Sequence, residues 1–409
     1  MLKFHQLSAF FLIFCSIGAF AGRLPFNLYI FPLIVIWFAN LALLVCAGYS
    51  YTRYFKAKLL NNFKILNLFI LWAFIGIIRG IFEGENYFHY KNLISNSFNI
   101  LLPLLTYLFY SPLLLQYLLR QWMKWCLLLY FLLFLWFCNG GVHHFYLGPA
   151  LIMAIFIPIL PIKWKWILGS LLVITLLIDV GARSQVIKSA FIILLIITYY
   201  SKKHLRQTLI NKIIKIFQVS FFIIPIILLY LGISNSYNVF KDDLFVDKIS
   251  EGTNITTEDT RSGLYEEIIE SAIKNEYVLF GRTPARGNDT SLYQYLVQDM
   301  KMNNPERNMN EVCHPNIFTW LGFIGVFLYS IIYLHSSYLA IYHSNSFYLK
   351  IIGVFIAFRW AFGWIEDMNS FNAMSFSIWM LISIGLSSSF RKMNDYEIRQ
   401  WANNIFKFK

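Results

Sequence analysis

Runs of apolar residues too long for a soluble domain recur along this chain, and they decide the solvent in which it folds. Residues 26–49, 66–82 and 213–233 are each long enough to cross about 30 Å of hydrocarbon as a helix. In lipid every backbone amide must be satisfied within the protein, which leaves helices or closed barrels. The short alternating polar and apolar segments that a barrel needs are absent from the sequence. With 58% hydrophobic and 13% charged residues, the chain also lacks the polar groups to cover a soluble fold of 409 residues. The sequence therefore predicts an all-α polytopic membrane protein.

Hydropathy places about twelve spans, near residues 7–22, 27–49, 63–82, 95–112, 121–138, 146–162, 164–180, 185–200, 213–233, 316–340, 348–363 and 371–390. This divides the chain into membrane spans (1–233), one large hydrophilic loop (234–315), further spans (316–390) and a polar tail (391–409). The first residues, with Lys3 and an apolar run ending in Ala19-Phe20-Ala21, suit either a first span or a cleavable signal. With the N-terminus in the cytoplasm, Arg53, Lys56, Lys58, Lys64, Arg120, Lys124, Lys163, Lys165, Lys202, Lys203, Arg206, Lys212, Lys215, Arg391 and Lys392 fall on the cytoplasmic side. That is the distribution expected of cytoplasmic loops. Most acids fall on the far side. The net charge of +13 is then used in setting topology, and nucleic acid is not an expected partner.

Cys15, Cys46, Cys126 and Cys138 lie in apolar runs, and only Cys313 lies in a polar one. Their spacing suggests neither a zinc site nor a disulfide framework.

On the far side the sequence gathers ionisable residues at the ends of spans: Arg79, His143, Arg183 beside Asp179, Lys188, Arg359, Glu366 and Asp367. Charges at membrane depth are costly and so point to function. Arg79, Lys188 and Arg359 also suit simple snorkelling to the headgroups, His143 an interfacial position, and Arg183 a structural pair with Asp179.

The loop has an internal order of its own. Thr257 or Asp259 can cap a helix led by Arg261, with Leu264, Ile268, Ile269, Ala272 and Ile273 on one face and Glu266, Glu267 and Glu270 on the other. Arg282 and Arg286 follow in a turn bounded by Gly281 and Gly287. Guanidinium groups there can clamp phosphate oxygens in pairs. The loop ends in Cys313-His314-Pro315-Asn316 before a span containing Gly322 and Gly325. His314 can act as a base near neutral pH; it equally suits an interfacial helix cap.

Taken in order, these features resemble the bacterial O-antigen ligase and O-antigen (Wzy-type) polymerase superfamily of membrane glycosyltransferases. The resemblance runs over roughly residues 141–387. It rests on the Gly181-Ala182-Arg183-Ser184 turn, the helix opening Arg261-Ser262-Gly263-Leu264-Tyr265-Glu266, and the Leu279-Phe280-Gly281 segment. His314-Pro315-Asn316 with Gly322 and Gly325, then Arg359 and Glu366, complete it. Two departures stand out: Pro315 separates His314 from Asn316, and a single Gly281 replaces a Gly-x-Gly turn.

The resemblance implies a bacterial inner-membrane enzyme whose site faces the periplasm and which uses neither metal nor cofactor. Its donor would be an undecaprenyl-diphosphate-linked oligosaccharide, passed with inversion to a sugar hydroxyl. Arg183 and Arg261 would stabilise the leaving diphosphate. His314, with Glu366 or Asp367, would orient or deprotonate the acceptor. Arg282, Arg286, Arg359, Asn316, Lys188, Arg79, Asp367 and His143 would line the substrate. Membrane lipid, a chain-length regulator and a flippase are the implied partners. An O-antigen or capsular polysaccharide polymerase is the favoured form, and a ligase acting on lipid A-core in lipopolysaccharide synthesis is the alternative. A flippase-like transporter is a further alternative, although such proteins usually show related halves and broken helices at the midplane.

Overall fold

A computed structural model of the chain describes residues 2–20, 32–54, 60–135, 143–178, 183–202, 204–233, 260–290 and 306–408. The architecture is all-α apart from one two-stranded ribbon. In chain order the elements are α1 (Leu2–Gly18), α2 (Leu33–Tyr54), α3 (Leu60–Glu83), α4 (Tyr87–Ile100), α5 (Leu105–Phe109), α6 (Pro112–Leu132), α7 (His143–Tyr146), α8 (Gly148–Ala154), α9 (Ile162–Leu177), α10 (Arg183–Ser201) and α11 (Gln207–Ile233). The loop region supplies α12 (Thr260–Lys274), β1 (Asn288–Asp289) and β2 (Glu306–Arg307). Then come α13 (Cys313–Tyr342), α14 (Phe347–Phe362), α15 (Ala373–Leu386), α16 (Ser388–Lys392) and α17 (Asp395–Ile405).

Among the described residues six helical stretches are long and apolar enough to cross a membrane: Leu33–Arg53, Asn62–Glu83, Tyr87–Phe109, Ser184–Ser201, Gln207–Leu231 and Cys313–Tyr342. The chain therefore reads as a multi-pass membrane protein. Several expected spans are built differently. The one expected at 95–112 begins earlier, at Tyr87, and passes through a 3-10 turn at Leu102–Leu104 that contains Pro103. The one expected at 146–162 is the short helix α8 followed by a 3-10 turn containing Pro158, because proline interrupts the backbone ladder. α14 and α15 are only 16 and 14 residues long and are buried almost throughout. They form the centre of the bundle, with α11 and α13 against α14 and with α5, α8 and α13 against α15. Small side chains allow this closeness: Ser336 Oγ donates to the Ile382 carbonyl at 2.8 Å and Ser337 Oγ to that of Gly353 at 2.7 Å.

The polar tail is not loose. Asn394 and Glu397 form a reciprocal capping box that starts α17, and Ile398, Trp401, Ala402 and Ile405 are buried on one face. Trp401 Nε1 donates to the Pro112 carbonyl at 2.9 Å, and Arg120 to that of Asn404 at 2.7 Å. Lys202 pairs with Asp395 at 3.1 Å. Basic residues thus cluster at the bundle end capped by α17. The opposite end carries Glu83, Glu85, Asp289, Glu306, Glu366 and Asp367, together with the described part of the loop.

Candidate functional site

At that opposite end, the segment after α14 gathers the functional candidates. Gly363 caps α14, and the next residues turn sharply, with Glu366 N–H donating back to the Phe362 carbonyl at 3.0 Å. This presents the Glu366 carboxylate to the first turns of α10. Lys188 Nζ lies 2.6 and 2.7 Å from its two oxygens, and Gln185 Nε2 donates to it at 2.9 Å. Gln185 and Lys188 are three apart and so share a helix face. Arg359, in the last turn of α14, approaches the same carboxylate at 3.7 Å, an ion contact too long for a hydrogen bond. Its Nε and Nη2 make no hydrogen bond among the described residues, and the side chain is only 2% exposed. Burial by itself would lift the Glu366 pKa, but the charges of Lys188 and Arg359 outweigh it and hold the carboxyl below its ordinary range. Two cations thus face one carboxylate in a buried place. Lys188 and Arg359 also line a small cavity with Gly148, Phe355, Met374 and Ser377.

His314 sits in the first turn of α13, fully buried, with Nε2 2.9 Å from the Trp360 carbonyl and its ring 4.6 Å from that of Trp364. Nε2 therefore carries the proton, because a carbonyl can only accept. Nδ1 has no partner among the described residues. Asn316 holds the loop's exit: it accepts from Asn310 N–H at 2.6 Å, donates to the Asn310 carbonyl at 2.9 Å, and reaches Asp367 at 3.4 Å. Asp367 accepts from Ser370 Oγ at 2.7 Å and from Asn369 N–H at 3.0 Å, yet burial keeps its pKa raised. Asn369 in turn donates to the Cys313 carbonyl and accepts from Tyr329. The start of α13 and the 363–370 segment are thereby fastened to one another.

The loop helix α12 joins them. Leu264 and Ile268 pack with Val312 and Phe318, and Tyr265 donates to the Trp364 carbonyl at 2.5 Å. Arg261 is one turn before Tyr265 and therefore on its face of the helix. Arg183 opens α10 five residues before Lys188, about 140° round the helix from it. For both arginines the backbone is described and the side chain lies outside the described residues, as do Thr257 and Asp259. The expected faces of α12 need correction at two positions. Glu267 is buried, accepting from Thr290 at 2.9 Å, whereas Ile273 is 66% exposed.

Arg282 and Arg286 stand apart from this group. Arg282 pairs with Asp289 at 2.6 Å and Glu306 at 3.2 Å, and Arg286 pairs with Glu306 at 2.5 Å and Glu85 at 3.2 Å. These carboxylates occupy the guanidinium groups expected to bind phosphate. The pairs hold the turn to the β1–β2 ribbon and to the approach of α4. Arg79 donates to the Phe280 and Gly281 carbonyls at 2.9 and 3.1 Å, so it too fastens the loop. His143 is buried at the start of α7, against α15. Sequence reasoning missed Gln185, Trp364 and Asn369, which have no signature beyond a polar or aromatic side chain. Tyr265 had one, its place one turn from Arg261.

No family model, curated protein or solved structure matches this chain.

Proposed function

We propose that this protein is a membrane glycosyltransferase of the polysaccharide-polymerase type, acting on a polyprenyl-diphosphate-linked glycan at the loop end of the bundle. One observation carries the reading. Lys188 and Arg359 are buried beside Glu366 as two cations against one anion, where the arginine-led starts of α10 and α12 meet the same segment. A buried excess of positive charge favours a bound anion, and a helix start adds to it. A leaving diphosphate supplies that charge as its bond to the sugar breaks. A guanidinium already in place, as that of Arg359 is, needs little reorganisation to stabilise it.

In this reading Arg183, Arg261 and Arg359 hold the diphosphate, and Lys188 with Glu366 fixes the geometry around it. The unpartnered Nδ1 of His314 takes the proton of the acceptor hydroxyl as the sugar–oxygen bond forms. Orientation in a bacterial inner membrane with the loop in the periplasm belongs to the same proposal. The basic end capped by α17 would then be cytoplasmic. Arg282, Arg286 and Arg79 are loop supports in this scheme.

Arg261→Ala, Arg359→Ala and His314→Ala are each expected to abolish surface polymer while the protein remains in the membrane at normal abundance. A normal long-chain ladder on a gel from the Arg261→Ala or His314→Ala strain would overturn the assignment. Deletion of the gene distinguishes the acceptors: loss of the ladder with one repeat retained marks a polymerase, and loss of both marks a ligase. A reporter fused after Ser250 should be active only in the periplasm.

A further inference from the structure

The loop does not simply rest on the bundle. α13 is broken at Gly322, whose φ is 69° and ψ −170°. Such a break leaves helical amides and carbonyls without their usual partners, and in lipid these cannot be left open. The segment after α12 fills the break. Arg282 N–H donates to the Thr319 carbonyl at 2.7 Å and Thr283 N–H to that of Trp320 at 3.2 Å. From below the break, Phe323 N–H donates to the Val278 carbonyl at 2.9 Å and Ile324 N–H to that of Leu279 at 3.4 Å. Trp72 Nε1 takes the Leu321 carbonyl at 2.9 Å. Gly281, at φ 75°, faces Gly322 so closely that a Cβ on either would strike the other's backbone.

Every carbonyl from Tyr277 to Gly281 is accounted for. That of Tyr277 accepts from Gly281, those of Val278 and Leu279 from α13, and those of Phe280 and Gly281 from Arg79. Yet the side chains of this segment point outward: Val278, Leu279 and Phe280 are 39%, 55% and 52% exposed. A water-facing turn would be expected to show the reverse, with polar side chains outward and carbonyls hydrated. Phe323 of α13, whose amide is held by the Val278 carbonyl, and Phe327 one turn further on are likewise exposed, and the Phe280 ring lies 6.0 Å from that of Trp72. α13 is too long for a bilayer as a whole. Its stretch below Gly322 alone spans roughly 30 Å at 1.5 Å per residue, which is the hydrocarbon thickness.

We infer that residues 278–280 are a re-entrant tip immersed in the acyl chains of the loop-side leaflet, seated in the Gly322 break, and that they anchor the loop and α12 to the membrane. Their occupant is bilayer hydrocarbon. The inference rests on the multi-pass fold and not on the glycosyltransferase reading, so either can fail without the other.

The full chain in vesicles of phosphatidylethanolamine and phosphatidylglycerol provides the test. Nitroxides on Leu279→Cys and Phe280→Cys should collide with oxygen in preference to a water-soluble nickel chelate, as should one on Phe327→Cys. A profile like that of Glu270→Cys, on the exposed face of α12, overturns the inference. The unsubstituted chain gives an independent reading. A carbene-generating lipid should leave adducts on 278–280 as well as on 323–327; adducts on the second stretch alone refute immersion. In the Gly322→Ala chain the adducts on 278–280 should fall several-fold while those on 323–327 remain. Retention of both would refute the seat.

Discussion

The ammonium of Lys188 meets both oxygens of Glu366, at 2.6 and 2.7 Å, across 178 residues of sequence. This contact joins the start of α10 to the segment after α14, and Arg359 completes a buried group of three charges. Removing one partner of a buried pair leaves the other uncompensated and costs about 3–5 kcal/mol, whereas removing both costs much less.

Glu366→Gln should therefore destabilise strongly, since it leaves Lys188 and Arg359 facing one another without a counter-charge. Lys188→Met should be milder, because Arg359 still neutralises the carboxylate. The double variant should lie above Glu366→Gln in thermal midpoint, measured in detergent. Additive effects of the two substitutions would mean that the contact contributes nothing of its own.

Gly281→Ala and Gly322→Ala should both be severely destabilising. Each needs a left-handed backbone and each would drive a Cβ into the other segment. Gly48 and Gly169 lie in helices with open space around them, and alanine there should be neutral or stabilising by up to about 1 kcal/mol. The fraction of monodisperse protein after heating separates the two pairs. Equal tolerance at all four positions would contradict the plugged break.

How much of this could be read from sequence differs by element. Long apolar runs such as 213–233 were legible because lipid demands a whole helix. The short, buried α14 and α15 have the same composition, but their length is set by neighbours rather than by the bilayer. The site was legible as residue types: Lys188, Arg359 and Glu366 stood out as charges beside apolar runs, and the structure brings them together. Arg282 and Arg286 had the same chemical promise. Their fate depended on Glu306, 20 residues beyond Arg286, and on Glu85, 201 residues before it, and no local pattern records such partners. The α17 capping box at Asn394 and Glu397 was written in the sequence and passed over as tail.

Asp289 gives a pH prediction. Burial favours its neutral form, but hydrogen bonds from Asn275 and Arg282 outweigh this and hold its pKa below the usual carboxylate value. A lowered folded-state pKa contributes stability that is present above the unfolded value and lost as pH falls through the folded one. The turn 281–290 should thus loosen only in acid, with susceptibility to pepsin rising across the acid range below about pH 4. The group is partly exposed, so the effect should be local. Asp289→Asn should be cleaved equally at both ends of that range, and an unchanged acid response would assign it to another group.

Tyr265 ties the loop helix to the site through one hydroxyl, donated to the Trp364 carbonyl at 2.5 Å. Leu264 and Ile268 keep α12 docked without it, so Tyr265→Phe should cost only about 0.5–1.5 kcal/mol of stability. Its effect on function should be larger. In the proposed function Arg261, one turn earlier on α12, would depend on this contact for its place in the site, and a displacement of about 1 Å in a catalytic group can cost about 100-fold in rate. Hydrogen exchange in residues 260–274 should rise modestly while polymer synthesis by membranes falls at least tenfold. Faster exchange with full synthesis would show that the hydroxyl fastens the helix but does not position the arginine. Lost synthesis with unchanged exchange would instead give Tyr265 a direct contact with substrate.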